Sequence, residues 1–415
     1  MRQYAGEKAM HKTSSRHVFI LSLAVGMQFA AVTFLLPLLR GLGTESPWLE
    51  SAFYLAHITA LPLLGLLADR WGTRRVLTLS LLGELLAFGL LAWSLEPGIL
   101  LSARLLSGAS SAVLPVCFAW VRRGTQNEHE LSRGIATVML GITAGGASGA
   151  LVAGLFSQNL GTAVSLLILG NALTLALVRT LPDRSEKPGI TRGIHDKSPT
   201  TVRDWGQIWR ACGLPVRSSG AKAGSKFRPQ SPRQIERRRH KASPLLSMAL
   251  VFLFVSTGFF LYRTLLSFRF EDARTAALAL ALLSLGAGAA QIALVLKPVP
   301  VNAALKGFLG CLFVAEVSFI LGIEVTGTLV LFSLALLGPA IGAADVLGGA
   351  TLASFTQKEK AGISSGMIFG IGALGKILGP SLAAIFSTSL PQGFFLAALF
   401  GTAGLVILLR LTRSL

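Results

Sequence analysis

Seven ionisable side chains stand inside long apolar runs of the sequence: His57, Glu84, Arg104, Arg263, Glu316, Asp345 and Lys376. A charge in hydrocarbon is costly, so each is a functional candidate by default. A carboxylate there can take up and release a proton. A lysine or arginine can hold an anion or neutralise that carboxylate, and an imidazole can titrate near neutral pH. Gln28 adds an uncharged polar group in the first apolar run. Cys117, Cys212 and Cys311 lie far apart and form neither a metal pattern nor a disulfide framework. No phosphate-binding glycine loop of the G-x4-G-K-[ST] type is present, so no nucleotide is expected to bind. No metal, cofactor or catalysed reaction is expected.

Groups of this kind need a scaffold that encloses them in a membrane. The chain has 415 residues, of which 52% are hydrophobic and 14% charged. Soluble domains carry about 25% charged residues. With a mean hydropathy of +0.64, an ordinary soluble enzyme, a disordered chain and a collagen-like chain are all excluded. Lys and Arg number 38 against 19 Asp and Glu, a net charge of +19. A nucleic-acid binder would spread such charge over a folded surface without so much apolar sequence. Crossing a bilayer takes about 20 apolar residues per helix. Twelve stretches qualify: 18–39, 48–68, 76–95, 98–121, 134–157, 161–181, 244–266, 275–296, 306–325, 328–353, 362–387 and 391–410. The first is too long for a cleaved signal peptide and lacks a small-residue cleavage site. An all-α polytopic membrane protein is expected, with a six-helix half at 1–181 and another at 244–415.

Residues 182–243 separate the halves and hold 15 Lys/Arg against 5 Asp/Glu, with Pro, Ser and Gly throughout. This composition predicts a mostly disordered basic linker. Its Arg237-Arg238-Arg239-His240-Lys241 run suits anionic lipid, at about 1 kcal/mol per charge near the surface. No base-reading element accompanies it, so nucleic acid is not an expected partner. Placing both termini inside the cell puts 32 of the 38 Lys/Arg on the cytoplasmic side and only Arg40, Arg269 and Arg274 outside. The short external loops, without N-x-[ST] sites, suit a bacterial inner membrane.

The halves repeat. Gly145-x3-Gly149 and Gly375-x3-Gly379 lie 230 positions apart, as do Phe156-Ser157 and Phe386-Ser387, and Glu84 and Glu316 are 232 apart. Glycines at four-residue spacing put a smooth groove on one helix face. Generic close packing of glycine-rich helices gives the same pattern. Repeat-built transporters hold their substrate near the bilayer midplane, between the halves.

Between the second and third stretches the sequence reads Gly65-Leu66-Leu67-Ala68-Asp69-Arg70-Trp71-Gly72-Thr73-Arg74-Arg75-Val76-Leu77. Asp69 is one carboxylate among three arginines, Arg70, Arg74 and Arg75, which points to an ionised, paired group. The segment resembles the loop motif of the major facilitator superfamily, G-x-L-a-D-r-x-G-r-k-x-x-l. It matches at Gly65, Leu67, Asp69, Arg70, Gly72, Arg74 and Leu77 and departs at Thr73. The resemblance implies twelve helices in two halves and a conformational latch built from Gly65, Asp69, Arg70, Gly72 and Arg74, a carboxylate there being able to cap a helix of the other half. Leu100-x3-Arg104-x2-Ser107-Gly108 resembles the family's fourth-helix pattern, with Ser107 in the usual Gln place. Arg104 then holds a carboxylate or, alternatively, snorkels to the outer surface. Gly141-x3-Gly145-Gly146-x2-Gly149 resembles the family's antiporter motif, which points to proton-driven exporters. Gly375-x3-Gly379-Pro380 keeps a version with its proline. The corresponding loop of the second half, Lys297 to Asn302, has lost the latch motif.

The resemblance also ranks the buried charges. Helices ten and eleven of the family face the central cavity, which makes Asp345 and Lys376 the preferred functional pair, against a structural pair or lipid-edge charges. Arg104, Arg263 and Gln28 are further candidates for the cavity. Glu84 and Glu316 fall on peripheral helices and read as packing groups, and His57 as a hydrogen-bonded structural residue. Many drug–proton exporters carry an acid on helix one, whereas this chain has only Gln28. The implied function is secondary active transport, as proton-coupled export of a small molecule by alternating access. The alternative is a non-transporting relative that assembles or senses within the membrane.

Overall fold

In hydrocarbon each backbone polar group must find a protein partner, and an apolar span of about 20 residues finds it within itself as a helix. The computed structural model describes residues 15–41, 47–111, 113–125, 127–156, 159–182, 244–269, 273–321, 327–355, 361–386 and 389–414. The expected linker therefore lies outside the described residues, save Pro182. Among the described residues there are thirteen α-helices and no strand. They are α1 (Ser15–Gly41), α2 (Pro47–Trp71), α3 (Thr73–Trp93), α4 (Pro97–Ser110), α5 (Val113–Gly124), α6 (Glu128–Leu155), α7 (Leu160–Val178), α8 (Pro244–Arg269), α9 (Ala273–Leu296), α10 (Val301–Leu321), α11 (Gly327–Phe355), α12 (Ala361–Ile385) and α13 (Leu390–Ser414). Eleven helical stretches are long and apolar enough to cross a membrane, α4 and α5 together forming one. With the 21-residue α10, they correspond to the twelve stretches of the sequence. Leu86, Leu155, Leu285 and Leu296 point outward from the bundle, a surface suited to lipid.

The fourth stretch is not the unbroken helix expected over 98–121. Pro115 lacks an N–H and its ring clashes with the carbonyl four residues earlier, that of Ser111. The helix breaks there. Ser111 leaves helical geometry at φ −82°, ψ 12°, and both its N–H (3.3 Å) and its hydroxyl (2.8 Å) donate to the carbonyl of Gly108. The break orphans the last carbonyls of α4. Gln28 on α1 meets one of them, its Nε2 donating to the Ser110 carbonyl at 2.9 Å.

Glycines set the closest helix approaches. Gly141, Gly145 and Gly149 on α6 lie against the backbone of Ser22, Gly26 and Ala30 on α1. In the second half, a Cβ at Gly375 of α12 would fall 2.7 Å from the Thr257 nitrogen of α8, and one at Gly379 would fall 2.7 Å from that of Leu261. The same pair of helices is thus clasped in each half. The halves meet along α2 with α12 and along α6 with α9. On the face that carries the α2–α3 connection, one apolar core joins them, with Leu77, Trp120 and Ile135 packed with Val346 and Ala350. On the opposite face the join is smaller: Val32, Phe53, Tyr54 and Phe260 cluster, and the hydroxyls of Ser51 and Ser381 lie 3.4 Å apart.

Candidate functional site

Between those two closures lies a cavity of about 190 Å³ lined by residues of both halves. Its ionisable lining comprises His57 of α2, Arg263 of α8, Asp345 of α11 and Lys376 of α12. Local sequence explains their placement. Gly375 and Gly379 let α12 press against α8, which sets Lys376 beside Phe260 and Arg263. Gly338 and Gly342 let α11 approach the backbone of α9 at Leu283 and Ala287, which turns Asp345 toward the same space.

Lys376 Nζ is caged by rings, at 5.9 Å from the Phe29 centroid, 5.6 Å from Tyr54 and 5.4 Å from Phe260. Such faces stabilise a desolvated cation by about 2 kcal/mol. The Arg263 guanidinium lies 5.5 Å from the same Phe260 ring. Lys376 feels the charges of both Asp345 and Arg263, and His57 feels that of Lys376. Among the described residues, neither Lys376 nor Arg263 makes a direct ion pair with Asp345. Arg263 Nη2 is buried without a hydrogen-bond partner there. His57 Nδ1 lies 2.5 Å from the Ser111 hydroxyl at the α4–α5 break, and its ring stacks on Phe53 at 5.8 Å.

Other sequence candidates fall elsewhere. Arg104 is wholly enclosed within the first half and does not line the cavity. Its guanidinium lies 4.9 Å from the Phe53 ring and its charge acts on Glu84, which accepts hydrogen bonds of 2.8 and 3.0 Å from Ser107. Glu84, Arg104 and Ser107 thus form one buried cluster on α3 and α4, a connection that their separate sequence patterns did not show. Gln28 is buried at the α4 end and is also outside the cavity lining. Glu316 on α10 accepts from Thr402 on α13 at 2.8 Å.

In the α2–α3 connection, Gly72 has φ 92°, a conformation that favours glycine. Asp69 pairs with Arg123 in the last turn of α5, a partner that the neighbouring arginines in the sequence did not suggest. Arg74 donates to the Leu181 carbonyl at 3.4 Å, Arg70 is exposed and Gly65 is buried. Sequence reasoning missed Tyr54, although its spacing from His57 puts both on one helix face. It also missed a polar bridge between the halves. Thr143 of α6 donates to Gln291 Oε1 at 2.8 Å, and Gln291, fully buried on α9, was signalled only as a polar residue in an apolar run.

A bundle of this kind, with charges gathered between two like halves, defines a membrane transporter. The family model described as Major Facilitator Superfamily matches residues 18–321, and the chain belongs to that superfamily. It is a multi-pass membrane protein of a family of small-molecule transporters. Among solved structures, the human organic anion transporter MFSD10 (TETRAN) is similar in fold, with a TM-score of 0.72 and 19% identity, covering 95% of this chain and 99% of that one. No curated protein matches the chain significantly by sequence.

Proposed function

We propose that the protein is a secondary active transporter that exports a small organic solute by alternating access, coupled to protons. The observation that carries the reading is the gathering of His57, Arg263, Asp345 and Lys376, from four helices of both halves, around one cavity. In this mechanism the halves rock about the cavity and expose it to each side in turn. Asp345 is the group that takes up and releases the proton, and Lys376 senses its charge state across the cavity. Asp69 and Arg123 secure the α2–α3 face between strokes, with Gly72 supplying the turn. The Gly141–Gly149 pattern supports the export direction and a proton-driven stroke. MFSD10, similar in fold, is described as an organic anion transporter, which supports an organic solute here. The basic linker is proposed to lie at the cytoplasmic surface on anionic lipid, with both termini inside and the protein in a bacterial inner membrane.

The test begins with a thermal-shift screen of the purified protein against candidate solutes at two pH values. The best solute is then followed in proteoliposomes containing a pH-sensitive dye. Solute-dependent proton movement is expected in the wild type and not in Asp345→Asn. Solute flux without proton movement would remove the coupling. Specific binding without flux would favour a sensing role instead.

A further inference from the structure

Resting on the reading of the cavity as the cargo site, we propose that the cargo is a small planar organic monoanion. Its acidic group is held at Arg263, and its ring lies along the aromatic wall of Phe259 and Phe260, which Tyr54 backs.

The charges of the lining carry the first step. Arg263 on α8 and Lys376 on α12 face one carboxylate, Asp345 on α11, and His57 on α2 completes the ionisable set. The lining residues from α1, α5, α6 and α9 are all uncharged. With Asp345 ionised and His57 neutral, one positive charge is therefore in excess. A buried cation is tolerated when an anion and hydrogen-bond acceptors meet it. Lys376 has its aromatic cage. Arg263 has one ring face and a buried Nη2 that no described residue satisfies. An acceptor on an occupant of the cavity would satisfy it. A guanidinium presents its donors in a planar fork, which fits carboxylate or sulfonate oxygens. A cationic cargo would meet two like charges, and a neutral one would leave the excess charge in place.

The rings carry the second step. Tyr54 meets Phe260 edge-on at 5.4 Å, and Phe260 meets Phe259 at 5.5 Å. Phe260 also lies under Arg263, so the apolar wall begins where the cationic fork ends. An occupant that follows this surface has an acidic group joined to a flat apolar body. The space is about 190 Å³, below the roughly 300–1,000 Å³ of drug-sized pockets. That limits the body to one or two rings.

The experiment uses the full-length protein in lipid nanodiscs and three probes of one shape: benzoate, benzylamine and benzyl alcohol. Equilibrium binding of radiolabelled benzoate is measured directly, with the other two as competitors. Benzoate is expected to bind saturably and at least about tenfold more tightly than either. Arg263→Gln is expected to lose that binding by about tenfold or more with its melting temperature retained, and Arg263→Lys to recover part of it. Glu316→Gln, outside the cavity, is expected to bind like the wild type. Absence of saturable benzoate binding, equal or tighter binding of the amine or alcohol, or full benzoate binding by folded Arg263→Gln would each overturn the proposal. The wild-type preference decides the matter even where a variant fails to fold. Counterflow in proteoliposomes separates the two readings. Benzoate bound but never exchanged would contradict transport and leave the ligand assignment standing. Exchange of another solute with no preference for the anion would do the reverse.

Discussion

Lys376 sits among three aromatic faces and within the field of Asp345, without a direct ion pair to it. Charges held in this way respond to each other and to an occupant, which is the property that a coupling site needs. Neutralising either should change the pH profile of transport as well as its rate. Asp345→Asn is expected to abolish the proton-dependent component and Lys376→Gln to displace its midpoint, as read from proton flux in proteoliposomes. Arg104→Gln should keep the wild-type midpoint, because Arg104 does not line the cavity. Its cost should fall on stability, since breaking a buried charge cluster typically costs about 3–5 kcal/mol. A clear drop in melting temperature is the readout. Asp69→Asn should slow transport at matched protein abundance, because it leaves Arg123 without its carboxylate. Wild-type turnover in that variant would remove the latch. The seven ionisable groups were legible one by one, because an ionisable residue in an apolar run is visible without a structure. Their grouping was legible only in part: the resemblance offered Asp345, Lys376 and Arg263 for the cavity, but also Arg104, and it left His57 out. Which helix faces meet is set by tertiary packing, so Asp345 and Arg263 reach one cavity while Arg104 turns to Glu84.

At the scale of the helix, glycine position decides the packing. Gly145 and Gly149 of α6 touch the backbone of α1, whereas a Cβ at Gly89 of α3 would meet nothing within 4 Å. Gly145→Val is therefore expected to lose the folded protein, as followed by size-exclusion profile and melting temperature. Gly89→Ala should be neutral or stabilising by up to about 1 kcal/mol, the usual difference between the two residues in a helix. Equal behaviour of the two variants would contradict the clasp. The repeat spacing of 230 residues was readable because it lies in the sequence of the grooves themselves. The α4–α5 break was less so. Pro115 marks a disturbance, but other prolines, Pro62, Pro339 and Pro380, sit inside helices that continue through them. What distinguishes Pro115 is the set of groups around it: Ser111 bonds back to Gly108, and Gln28 arrives from α1 to take the Ser110 carbonyl. Those partners lie far apart in sequence.

For the whole molecule, the two halves are joined by a broad apolar core on the α2–α3 face and by a small aromatic cluster on the other. In the proposed alternating cycle, that inequality corresponds to one stroke. The linker between the halves is proposed to take no part in it. Deleting residues 215–232 should leave folding and transport intact, since loop length changes closure entropy only slightly. The most direct test of the central claim, that the cavity opens to each side in turn, needs no knowledge of the cargo. Cys117, Cys212 and Cys311 are replaced, and a cysteine is placed at Ser284, which lines the cavity on α9. A small membrane-impermeant methanethiosulfonate is then added to intact cells and, separately, to inside-out vesicles. The account predicts labelling of Ser284→Cys from both sides of the membrane. Labelling from one side alone, or from neither, would contradict it.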